Sequence, residues 1–69
     1  MWTEEEIDAA KTYAVTMTLC RDNPHMYFCA RGKFDRLIRE KGNTKNQLER
    51  GKWTVQIEGH TLTFPVYKT

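Results

Sequence analysis

Between Trp53 and Val66, apolar and polar residues alternate. Thr54 and Gln56 separate Trp53, Val55 and Ile57; Thr63 and Pro65 separate Leu62, Phe64 and Val66. A period of two belongs to a strand with one face buried. Gly59-His60, between the runs, reads as a two-residue turn of the Gly-X type, predicting strands near 52–58 and 61–67. That turn sets Ile57 against Leu62, Val55 against Phe64 and Trp53 against Val66. All six apolar side chains then share one face. Pro65 suits an edge strand, where its missing N–H leaves no ladder bond unmade. A hairpin alone is marginal in water, so its apolar face must pack on a second layer.

The preceding residues offer helices for that layer. Thr3 and Glu6 have the spacing of a capping box, and Trp2 and Ile7 that of a hydrophobic staple. Glu4, Glu5 and Glu6 fill a first turn, where negative charge offsets the helix dipole. The helix runs to about Cys20, before Asp22-Asn23-Pro24. At 100° per residue, Ile7, Ala9, Ala10, Tyr13, Ala14, Met17 and Cys20 make one broad stripe. Val15 and Leu19 lie off it, four residues apart, beside Thr12 and Thr16.

Asn23 caps a second helix with Pro24 at its first position, where a missing N–H costs nothing. Tyr27, Ala30, Phe34, Leu37 and Ile38 recur at helical spacing through Gly32, which favours one helix over 24–41 rather than two short ones. Gly42 stands at the stop position. Thr44 and Gln47 repeat the capping-box pattern and Gly51 would close a third helical segment, about 44–50, docked by Leu48. The expected fold is α+β: two helices and a short third helical segment, followed by a C-terminal two-stranded antiparallel hairpin. At 69 residues this is a single small domain, burying about 60% of its extended-chain surface.

Several functions find no support in the residues. No apolar run approaches the ~20 residues that cross a bilayer. The acidic start is unlike a signal peptide, so a cytoplasmic location is expected. Cys20 and Cys29 lack CxxC spacing and read as free, buried thiols. With His25 and the distant His60 they would make a two-cysteine, two-histidine zinc set. The Cys-x4-His-x3-Cys spacing matches no common zinc pattern, and no metal or cofactor is expected. There is no phosphate-binding glycine loop and no nucleophile elbow, and neither histidine has a catalytic partner nearby in sequence. The chain is not expected to be an enzyme.

The net charge of +2 is unevenly placed. Residues 1–22 carry five acids against two bases, whereas residues 31–52 carry eight bases against three acids. Two helices, a short capped helix and a two-stranded wing resemble, over residues 33–67, the order of winged-helix DNA-binding domains. That resemblance implies a transcription-regulating DNA-binder. Thr44 to Arg50 would be the recognition helix, with Lys45, Asn46, Gln47 and Arg50 reaching bases or phosphates, Lys41 and Lys52 on phosphates, and His60 at the wing tip. The competing reading rests on apolar residues beyond the core. Val15, Leu19 and Phe28 remain after the core stripes are counted, and Arg31, Lys33, Arg36 and Arg39 could steer an acidic partner toward them. Small chains of this type occur among phage and mobile-element accessory factors that bind and inhibit or redirect a host protein. The expected function is therefore a protein-interaction module with a host-protein partner, homodimerisation being the simplest version.

Overall fold

The computed structural model describes residues 1–42 and 45–67. Its elements run α1 (Glu4–Leu19), α2 (Pro24–Lys41), β1 (Lys45–Glu49), β2 (Lys52–Ile57) and β3 (His60–Pro65). The strands form one antiparallel sheet in the order β1-β2-β3. Both helices start where side chains satisfy otherwise orphaned backbone donors. The Thr3 hydroxyl accepts from the Glu6 N–H while the Glu6 carboxylate accepts from the Thr3 N–H, closing the capping box. The Asn23 side chain accepts from the Met26 N–H at 3.2 Å. Helix α2 passes through Gly32 unbroken and stops at Gly42, whose φ of 66° suits a residue without Cβ.

The helices and the β2–β3 face share one core. Ala10, Ala14 and Met17 come from α1, Tyr27, Ala30 and Phe34 from α2, and Val55, Ile57, Leu62 and Phe64 from the hairpin. Trp2 joins them, and Ile7, Tyr13, Leu37, Ile38, Trp53 and Tyr67 pack around the margin. Phe34 meets Phe64 edge-on at 5.0 Å between centroids, and Phe64 meets Trp53 at 5.6 Å. Edge-to-face contacts of this kind add to the gain from burial. The indole N–H of Trp2 is buried without a partner among the described residues.

Three expectations need correction. Residues 45–49 form a strand, not a helix, and Leu48 is 59% exposed rather than docked. Thr44, the expected cap of that helix, lies outside the described residues. The segment extends because Arg50 and Gly51, with φ of 54° and 74°, form a two-residue turn that returns the chain along β2. Positive φ at both central positions is the type I′ signature, whose twist matches paired strands. The second turn is likewise Glu58-Gly59, with φ of 44° and 85°, not Gly59-His60. Ile57 therefore faces His60, Val55 faces Leu62 and Trp53 faces Phe64. A slip of two residues leaves every side chain on its expected face, so the burial pattern survives. Lastly, Cys29 is exposed and Cys20 half-buried, both free thiols.

Two substitutions test this core. Phe64→Ala should cost about 3–5 kcal/mol, enough to unfold most of so small a domain. An unchanged melting temperature would remove Phe64 from the core. A Cβ on Gly32 would meet nothing within 4 Å. Gly32→Ala should therefore stabilise α2, by up to about 1 kcal/mol in urea titrations.

Candidate functional site

The expected nucleic-acid residues do not form one surface. Lys41, in the last turn of α2, places its Nζ 2.9 Å from the Glu6 carboxylate on α1. Lys45, Asn46 and Gln47 lie on β1, Arg50 in the first turn, Lys52 on β2 and His60 at the start of β3. Strand alternation puts Lys45, Gln47 and Lys52 on the open face of the sheet and Asn46 on the helix side. Arg50, in the first turn, and His60, beside the second, lie at opposite ends of β2. The open face also carries Thr54, Gln56, Thr61 and Thr63, and none of these offers a ring on which a base could stack. With residues 45–49 extended, the helix that would have entered a DNA groove is not formed.

The leftover apolar residues are exposed as expected: Val15 at 56%, Leu19 at 79% and Phe28 at 50%. They divide between two places. Val15 and Leu19, with Lys11, Ala14 and Thr18, form one wall of a groove of about 350 Å³. Its other wall is Thr61, Leu62 and Thr63 of β3. Three consecutive strand residues can line one groove only if it runs along the strand's edge, since their side chains alternate between faces. The backbone parity agrees. The pairs Ile57–His60 and Val55–Leu62 flank a two-residue turn, so His60 and Leu62 direct their N–H and C=O to β2. Thr61 and Thr63 consequently direct theirs away from β2, into the groove. The Thr18 hydroxyl is already used, donating to the Ala14 carbonyl at 2.9 Å.

Phe28 sits elsewhere, with centroids 5.1 Å from both Tyr27 and Tyr67. The expected steering cations are also displaced from Val15 and Leu19. Arg31 lays its guanidinium 3.5 Å from the Trp53 ring centroid and reaches Asp35 at 3.7 Å. Lys33 and Arg36 line a separate groove between the helices with Glu5, Glu6 and Glu40. Arg39 lies near Asp35, Arg36 and Glu40. Lys11 is the charged residue on the groove beside β3.

Among the described residues, no three histidine, cysteine or acidic side chains gather where they could hold a metal ion. No described helix is long and apolar enough to cross a membrane. Comparison with protein-family models, curated proteins and solved structures finds no match.

The sequence did not disclose two long-range polar contacts. The Trp2 backbone N–H donates to both Glu58 carboxylate oxygens, at 3.2 and 3.3 Å, tying the start of the chain to the second turn. Glu6 joins the cap of α1 to the end of α2 through Lys41. The Thr3 backbone N–H, and then the Lys41 ammonium, hold the Glu6 carboxyl below its ordinary pKa. A lowered carboxylate favours the fold above its unfolded pKa, and that contribution is lost as pH falls through the folded value. Lys41→Gln should raise the Glu6 pKa, as followed by carboxyl NMR titration. Titration at the wild-type position would mean that the ammonium does not reach Glu6 in solution.

Proposed function

We propose that this chain is a small protein-interaction module, and that its binding surface is the groove between α1 and β3. The observation that carries this reading is the exposure of Val15 and Leu19 beside the edge of β3, which no other described strand than β2 pairs. Two apolar side chains in water favour a partner that covers them. The backbone groups of Thr61 and Thr63 offer that partner a ladder of hydrogen bonds. An extended segment can add to the sheet there and lay alternate side chains onto Val15, Leu19 and Leu62. Backbone pairing supplies affinity in this mode, and the apolar wall selects the side chains. The fitting occupant is an apolar, extended stretch of another protein, with an acidic residue favoured opposite Lys11. A protein that gives up such a segment to this groove would be inhibited or redirected by the loss.

The test is affinity capture from lysate, with and without nuclease, with three chains: wild type, Leu19→Asp and Thr63→Pro. Leu19→Asp places a charge in the groove, and Thr63→Pro removes an edge N–H without touching the β2–β3 ladder. A protein retained by the wild type should be lost from both variants, with unchanged circular dichroism. Retention by both would exclude the groove. Unfolding of Leu19→Asp would assign Leu19 to the core. Recovery that vanishes on nuclease treatment would return the question to nucleic acid.

A further inference from the structure

Strand β1 forms the opposite edge of the sheet from β3 and, among the described residues, pairs on one side only, with β2. All its side chains are exposed, including Asn46 and Leu48 on the side that bears the helices. Neither helix therefore overhangs this strand.

The direction of its free hydrogen bonds follows from its neighbours. The Val66 N–H donates to the Gly51 carbonyl at 3.0 Å, so Gly51 faces β3, as do Trp53, Val55 and Ile57 in the same parity. Lys52, Thr54 and Gln56 then face β1, and their partners Glu49, Gln47 and Lys45 face back. Asn46 and Leu48 are left with their N–H and C=O groups directed to the open edge.

An antiparallel strand must oppose outward-facing residues to outward-facing residues. For a second copy of β1, three registers satisfy this within the strand. Asn46 can meet Asn46, Leu48 can meet Leu48, or Asn46 can meet Leu48. The third places a two-fold axis through Gln47 and brings all five residues into opposition. It alone sets Lys45 opposite Glu49 of the second copy, twice, on the open face of the sheet. The two Leu48 side chains then lie diagonally across the axis on the helix side, within reach of each other. Of the three registers that hydrogen-bond direction allows, charge and strand length select this one.

We propose that β1 is a homodimer interface, joining two copies antiparallel about Gln47 into one six-stranded sheet. The self-complementary Lys45–Glu49 pattern is what identifies a second copy as the occupant. The same surface pairs with itself, as a closed two-fold interface requires. The interface lies across the sheet from the groove of Val15 and Leu19, so the dimer carries two open grooves, and this inference does not depend on the function proposed for them.

Sedimentation equilibrium on the full chain tests the arrangement. The wild type should show a monomer–dimer equilibrium. Lys45→Glu opposes two acids on each side of the axis and should weaken it by about tenfold or more. Glu49→Lys should do the same, and the double exchange should restore wild-type association. Leu48→Pro removes an outward N–H while leaving the β1–β2 ladder intact, and should abolish the dimer without altering circular dichroism. Leu19→Asp should dimerise like the wild type. A monomer at millimolar concentration would overturn the proposal. So would a dimer insensitive to both single charge changes, a double exchange that fails to restore association, or a dimer lost on Leu19→Asp.

Discussion

The structure depends on the seam between α2 and the β2–β3 hairpin. Phe34 and Phe64 meet edge-on there, and Tyr27 passes between the layers until its hydroxyl donates to the Pro65 carbonyl at 2.6 Å. The ring of Tyr27 is fully buried while its polar end is satisfied, so the cost of desolvating a hydroxyl is met where β3 ends. Neither layer would hold its shape without the other. The hairpin would be marginal alone, and most of the stability of the helices comes from packing their apolar face. Arg31 extends the seam to the margin, covering the open face of Trp53 with its guanidinium.

Two helices cover the core-forming hairpin and no more. Helix α1 packs along β3 and leaves a groove at its edge, and β1 projects beyond the helix layer with every side chain exposed. A sheet this narrow has two edges for three strands, and each edge presents unpaired backbone. The two edges differ in chemistry. Apolar side chains from a helix flank the β3 edge, which suits an apolar extended segment. The β1 edge has charges of opposite sign at its two ends, which suits a copy of itself. Lys45 and Glu49 also keep that edge from pairing indiscriminately, since most incoming strands would leave one of them badly opposed.

The exposed apolar residues of the candidate site were legible in the sequence, because Val15 and Leu19 fall off the stripe that Ala10, Ala14 and Met17 define. Their setting was not. Nothing local says that β3 runs beside them, or that Phe28 is drawn away to Tyr27 and Tyr67. The cations on α2 looked like a steering patch in one dimension. In three dimensions Arg31 serves a tryptophan, and Lys33 and Arg36 sit among glutamates. Charge counted along a chain does not report which charges neighbour one another in space.

The sequence alone located both helical segments and their caps, favoured one helix over 24–41, and set the face of the apolar residues in the hairpin strands. Those signals are local, a period of 3.6 or 2 and a side chain within three residues of the donor it caps. It could not determine residues 45–49. Lys-Asn-Gln-Leu-Glu holds no β-branched or aromatic residue, and its local preference is not that of a strand. What makes it one is the free edge of β2 and the Arg50-Gly51 turn that delivers it there. The X-Gly pair eight residues before Glu58-Gly59 was the sequence trace of that turn, but a glycine ends a helix as readily as it turns a hairpin. Only the tertiary structure chose between them, because the hydrogen bonds that decide it belong to a neighbouring strand.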